Sequence, residues 1–234
     1  DVSPATWIGS LETMPARLRT GLEDKIAAVT TSTGPIANAC AKVLADRGAN
    51  TTILMQDHPP PPDVDVLVAV FDAAGVPVPD TSGSADAEWE ATVGTSARHL
   101  YRQMRDAAVA MAARGSGAIV VVAPEAGLAG VRGASVVAAA AGALFSSARA
   151  LAIEFAPPVR VNMVAYGCIE GDPFSDWLRS ADPNGLLALD GELTLLERFG
   201  GPEEVATAVA FLASARASFV AAHQLVVDGG YLVH

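Results

Sequence analysis

The sequence predicts a single α/β domain built on a doubly wound parallel sheet, and three observations carry that prediction. Continuous apolar runs of strand length recur along the chain, among them "VDVLVAV", "GAIVVVA" and "VRVNMVA". Segments of helical character alternate with them. The chain has 234 residues and is 51% hydrophobic, enough for one full core without disulfides or metal. Strands that are apolar throughout are those covered on both faces, as in a parallel sheet between helical layers.

In chain order, residues 1–24 read as an N-terminal extension, with Ser10 or Thr13 as a helix cap and Gly21 as a stop. The domain proper is expected over 25–234. "KIAAVT" (25–30) is the first strand, followed by the turn "TSTGP" and a helix of about 36–47 stopped by Gly48. "TTILM" (51–55) is a second strand. "QDHPPPPD" is neither helix nor central strand, because proline lacks the N–H and fixes φ. Strand "VDVLVAV" (64–70) precedes a loop rich in Gly, Pro, Ser and Asp, then a long helix from "DAEWEATV" to about 113. "GAIVVVA" (117–123) leads into a helix over 134–156, and "VRVNMVA" (159–165) follows. Short helices are expected in a mixed segment, 168–198, at "PFSDWLRS" and "GELTLLERF". The helix "PEEVATAVAFLAS" and the strand in "HQLVVDGG" close the chain.

The net charge of −11 argues against nucleic acid and anionic membrane as partners. Cys40 and Cys168 stand far apart, without metal-type spacing, which predicts no metal site and two buried thiols in a reducing, cytoplasmic setting. No apolar run free of Gly, Pro or charge reaches the length of a membrane span. The lysines are Lys25 and Lys42, so no site beyond residue 42 can use a lysine.

"VRVNMVAYG", "RFGGPEEVATAVAFLAS" and "LVVDGG" strongly resemble the second half of the short-chain dehydrogenases/reductases. "AEWEATV", "GAIVVVA" and the Ala-rich helix fall where that family places its middle elements, so the likeness covers roughly 25–231. The resemblance implies a Rossmann-like fold that binds NAD or NADP. It also implies hydride transfer by a Ser, a Tyr and a Lys, usually with an Asn.

Carried over position by position, those implications meet departures. In the nucleotide loop "TTSTGPIA", Thr31, Pro35 and Ala37 stand at the three glycine positions, and Pro35 removes an N–H from the helix start. Only residues 56–63 separate "TTILM" from "VDVLV", where the family has a helix, a strand and another helix. The return path needs roughly 19 Å, and eight extended residues span about 25 Å, so a bare link suffices. It reads as a stiff linker rather than a docking motif. Asp72 falls in the family's "NNAG" loop. On the catalytic helix Val137 takes the Tyr position and Ala141 the Lys position; Pro124 takes the Ser position and Ser96 that of the Asn.

The expectation is therefore a degenerate family member that binds no cofactor and has no catalytic residues, any NAD or NADP residing in a partner subunit. The partner would be an active paralogue, a second copy of the chain, or both. The contacts would run through helices 88–113 and 134–156, with Val137, Ala141 and Phe145 at the interface, and through the C-terminal strand. Two alternatives stay open. One is a ligand-binding protein without nucleotide, its pocket drawn from Asp72, Glu125, Tyr166, Cys168 and Glu170 at the strand ends. The other is an enzyme of different mechanism using Tyr166 or Cys168. Tyr101 and Arg105 make a Tyr-x-x-x-Arg pair resembling that of halohydrin dehalogenases, but on the helix before "GAIVVVA", where a solvated or interface face is the simpler reading.

Overall fold

The computed structural model describes residues 20–31, 34–71, 85–181 and 194–233. The N-terminal helix expected before residue 20 and Asp72 lie outside them.

Six strands form one parallel sheet in the order β2-β1-β3-β4-β5-β6. They are β1 (Ile26–Thr31), β2 (Asn50–Met55), β3 (Val66–Val70), β4 (Gly117–Pro124), β5 (Val159–Tyr166) and β6 (Gln224–Val227). Side chains alternate across the pleat. Ala28, Leu67, Ala69, Ile119, Val121, Val161 and Met163 face one helical layer. Val29, Val66, Val68, Val120, Val122 and Val164 face the other. Helices α1 (Pro35–Asp46) and α6 (Pro202–Ala213) pack on the second face. On the first lie α3 (Arg98–Arg114) and α4 (Ser135–Phe155), and α5 (Pro173–Ala181) adds Phe174 and Leu178 to the same core. Both faces of the central strands are thus dry, as their unbroken apolar runs require.

The long helix before β4 carries an irregularity that its sequence does not announce. Between α2 (Ala85–Trp89) and α3, residues Glu90–Ala97 wind as a π-helix. The helix ends at Gly115, whose φ of 84° supplies the left-handed cap that side chains disfavour.

The proline link behaves as a strap. Gln103 on α3 donates its amide to the carbonyls of Met55 and His58. Arg114, at the other end of α3, donates to the carbonyls of Pro62 and Val64. The link lies along α3 and joins β2 to β3 without a helix, leaving β2 at the sheet edge with Ile53 and Met55 half exposed.

Helix α4 corrects one expectation. By length and composition alone it could cross a membrane, yet one face is buried against the sheet. Val137, Ala141 and Phe145 belong to that inward face, each at most 3% exposed, and so are not interface residues. At 100° per residue, positions i, i+4 and i+8 share one face, and the sheet claims it. The outward stripe is Ser135, Ala143, Ser146, Ala150 and Ile153. Nor does "GELTLLERF" form a helix over its described part. Thr194 Oγ1 accepts from the Arg198 N–H and donates to its carbonyl, and Glu197 takes a φ of 54°. The hydroxyl closes a local turn in competition with the helix.

Candidate functional site

The doubly wound sheet gathers its loops at the C-terminal ends of the strands, where such folds bind ligands. After β4 the chain enters a 3₁₀ turn, Glu125–Gly127, that buries the Glu125 side chain. After β5 come Gly167 and Cys168, and after β6 comes Asp228. Gly167 donates its N–H to the Val227 carbonyl, which clamps the last two loops together. A Cβ on Gly167 would stand 2.8 Å from Asp228 Cα and 3.0 Å from Glu125 Oε2, so only glycine fits. Three chain segments that are remote in sequence thereby bring Glu125, Cys168, Asp228 and Tyr231 together.

The electrostatics follow from crowding acids in a dry place. Asp228 is satisfied, accepting the N–H groups of Gly230 and Leu232 at 2.8 Å each. Glu125 Oε2 is buried without a hydrogen-bond partner. Burial first, then Asp228, pushes the Glu125 carboxyl up to about 8. Burial likewise pushes the Cys168 thiol up to about 11, reinforced by Glu125 and Asp172 and opposed by Arg179. Tyr231 is raised by burial, Glu125 and Cys168. A thiol so raised is a poor nucleophile at neutral pH. Cys40, free and buried in the other core, is pushed up to about 12.

Beside this cluster lies a pocket of about 390 Å³. Cys168, Ile169, Leu195, Leu196 and Val226 give it apolar walls, and Arg198 and Glu204 stand at its rim. Arg198 grips Glu204 with two bonds of 2.7 Å and draws its carboxyl down to about 2. Glu204 also accepts the Gly201 N–H at the start of α6.

Of the five pocket residues predicted from sequence, the structure brings Glu125 and Cys168 together. Tyr166 is fully buried, its hydroxyl 3.4 Å from the Phe71 carbonyl and from Asp172 Oδ1, and acts as a core phenol. Glu170 is exposed and outside the pocket lining. Asp228, Tyr231 and the Leu195–Leu196 wall were not foreseen. In the sequence "LVVDGG" carries the family resemblance, and nothing local marks its Asp as a neighbour of Glu125.

The family's catalytic positions are filled by packing. Val137 and Ala141 sit in the core below the Glu125–Gly127 turn. A Cβ on Gly127 would meet the Ala141 Cβ at 2.8 Å, so this turn is pressed onto α4 where the family's lysine would extend. Pro124 ends β4, and Ser96 donates its hydroxyl to the Ala91 carbonyl in the π-helical turn. Tyr101 and Arg105 line a separate surface cleft with His58 and His99.

At the nucleotide end, Thr31 closes β1 and Pro35 opens α1, with Ala37 buried behind it. The sheet order reverses between β1 and β3, which places a crevice there. The first turn of α1 carries no acid, and Thr30 Oγ1 is buried at the end of β1 without a partner. A positive helix end and an orphaned hydroxyl fit a pyrophosphate, although Pro35 removes one donor.

Residues 62–232 match the family described as enoyl-(acyl carrier protein) reductase. The cyclopentanol dehydrogenase of Comamonas testosteroni is 38% identical over 189 residues, 79% of this chain and 70% of that protein. The 2,3-dihydro-2,3-dihydroxybenzoate dehydrogenase of Bacillus subtilis is 31% identical over 263 aligned positions, covering 90% of this chain and 97% of the relative. Two solved structures, each 24% identical, share the fold. One, described as a gluconate 5-dehydrogenase from Beutenbergia cavernae, covers 92% of this chain and superposes with a TM-score of 0.79; all of that chain is matched. The other, described as a 2-deoxy-D-gluconate 3-dehydrogenase from Agrobacterium tumefaciens, covers 93% with a TM-score of 0.78, again over the whole of that chain. Both carry bound NADP. The expectation of a chain that binds no cofactor is overturned by these findings. Replacing loop glycines counted too heavily in it, because a dinucleotide is held as much by the crevice and the helix end as by the loop.

Proposed function

Because the chain belongs to the short-chain dehydrogenase/reductase family, we propose that it is a dinucleotide-binding member whose Ser-Tyr-Lys hydride-transfer site has given way to packing. In this reading it serves as partner subunit to an active member of the family. The observation that carries the reading is the filled catalytic position. Val137 and Ala141 are buried, the Glu125–Gly127 turn presses on Ala141, and Pro124 has no hydroxyl. Pro124, Val137 and Ala141 carry no proton to hand to an alkoxide and no charge to lower a phenol's pKa, and the Ser96 hydroxyl is given to the Ala91 carbonyl.

The cofactor is NAD or NADP, with its pyrophosphate over the start of α1 and near Thr30. The partner meets the outward stripes of α3 and α4, where Val109 and Ile153 are exposed, and the C-terminal strand beside Phe219. Small residues along α4 allow a second helix to approach closely.

The purified chain is expected to quench or shift NADPH fluorescence on binding, yet to show no dehydrogenation of cyclopentanol with NAD or NADP. Co-expression with an active family member from the same genome is expected to yield a mixed oligomer by native mass spectrometry. Turnover by the isolated chain, or a monomer that ignores every such partner, would refute the proposal.

A further inference from the structure

Strand β2 ends the sheet, and among the described residues no strand pairs with its outer edge. Asn50 donates its N–H to the Lys25 carbonyl, so Asn50, Thr52 and Leu54 turn their backbone groups toward β1. By alternation, those of Thr51, Ile53 and Met55 point away from the sheet. The strap takes one of them, the Met55 carbonyl, through the His58 N–H and the Gln103 amide. Both backbone groups of Thr51 and of Ile53, with the Met55 N–H, are left without a partner among the described residues.

Edges of this kind are ordinarily blunted by charge, proline or a bulge. Asn50–Met55 contains no charged residue and no proline, and its register with β1 runs unbroken over all six residues. Ile53 pairs with Val29, which places Ile53 and Met55 on the α1 face, where both are half exposed. The strand is also its own complement. Laid antiparallel on itself about a two-fold axis at Ile53, it sets each Ile53 N–H against the Ile53 carbonyl of the other copy. The Met55 N–H then meets the Thr51 carbonyl, and the two Ile53 side chains pack together. A chain with a net charge of −11 repels its own kind over most of its surface, so an uncharged edge is where two copies can approach.

We propose that a second copy of this chain docks on β2, the two strands pairing antiparallel so that one sheet runs through both molecules. The axis passes beside Ile53 and stands across the sheet, which brings the two α1 helices to the same face. The bare edge exists because the 56–63 link returns to β3 without adding a strand outside β2. β2 and β6 lie at opposite edges of the sheet, so this contact does not use the C-terminal strand or the outward stripe of α4. A pair joined in this way can still offer those surfaces to an active family member.

The test follows the full chain by sedimentation velocity at micromolar concentration, with Ile53→Lys and Ile53→Glu as variants. Each variant is expected to show half the wild-type mass, because like charges then meet at the axis. Mixed in equal amounts, the two are expected to recover the wild-type mass, since lysine then faces glutamate. Their circular dichroism melts report that they fold. A second measurement needs no variant. Hydrogen exchange read by NMR should find the wild-type Ile53 amide as protected as that of Thr52, which faces β1. Equal masses for wild type and Ile53→Lys, a mixture that stays at the variants' mass, or an Ile53 amide that exchanges freely would each overturn the proposal. Failure to form a mixed oligomer with an active family member would defeat the subunit reading and leave this one standing.

Discussion

Replacing Glu125 by Gln keeps the shape of the side chain and abolishes its titration. In the folded chain, burial and Asp228 raise this carboxyl from 4.5 to about 8. Unfolded, it titrates near its ordinary value. Between those limits the folded state retains a proton that the unfolded state has released, so wild-type stability falls as pH rises. The penalty is absent below the unfolded pKa and complete above the folded one. Each pH unit inside the window is worth about 1.4 kcal/mol, or about 4 kcal/mol between pH 5 and pH 8. Glu125→Gln lacks this slope, and every other titrating group is common to the two proteins. Urea unfolding at pH 5, 6.5, 8 and 9 should show the variant gaining on the wild type by about that amount up to pH 8, then holding level. Any cost of seating an amide shifts the gap by a constant and leaves its slope untouched. Parallel stabilities across the range would refute the reasoning, because they would mean that Glu125 is already ionised in the folded chain.

Three further outcomes follow from named contacts. Arg160 donates to the carbonyls of Leu212, Ala213, Ser214 and Ala217 at 2.8–3.3 Å, closing the C-terminal end of α6. Arg160→Met should cost about 2–3 kcal/mol in urea unfolding, as those carbonyls lose a charged donor. Gly167→Ala drives a Cβ against the Asp228 backbone and should lower stability by about 1–3 kcal/mol, read as a fall in the thermal midpoint. Gln103→Leu frees the His58 carbonyl and leaves that of Met55 to the His58 N–H alone. A loss of about 1–2 kcal/mol is expected, with faster hydrogen exchange at Asp57 and His58 than at Ala27 on β1.

The strands were legible because burial on both faces leaves an unbroken apolar run, and no other element produces one so short. The link was legible for the opposite reason, since four consecutive prolines cannot be helix. On α4 the same apolarity that announced the helix concealed its orientation. Apart from Arg149 and Glu154 near its end, the outside of the helix is Ala, Ser and Ile with no polar stripe, so Val137 and Phe145 looked available when the sheet had taken them. The π-helical turn left no trace, because its residues differ from ordinary helix formers in no way that spacing detects. Glu125 was visible as a strand-end acid, yet its significance depends on Asp228 and on the missing Cβ of Gly167. Proximity across three loops is a property of the folded sheet alone. The nucleotide end shows the limit of motif reading. Three altered glycines were legible and the crevice behind them was not.

The strap also bears on the order in which this sheet can be completed. β1, α1 and β2 are contiguous and can pair as soon as they exist. The crossover from β2 to β3 has less autonomy, because beyond two local turns, His58 N–H to the Met55 carbonyl and Val64 N–H to the Pro61 carbonyl, it has no helix of its own to bond its carbonyls. Their donors lie 45 residues after His58 and 52 after Pro62, at opposite ends of α3. On a growing chain that stretch stays provisional until Arg114 has been made and α3 has docked. A connection that most α/β units settle locally is here deferred to a helix yet to be synthesised. The time spent waiting is set by translation rather than by the strap.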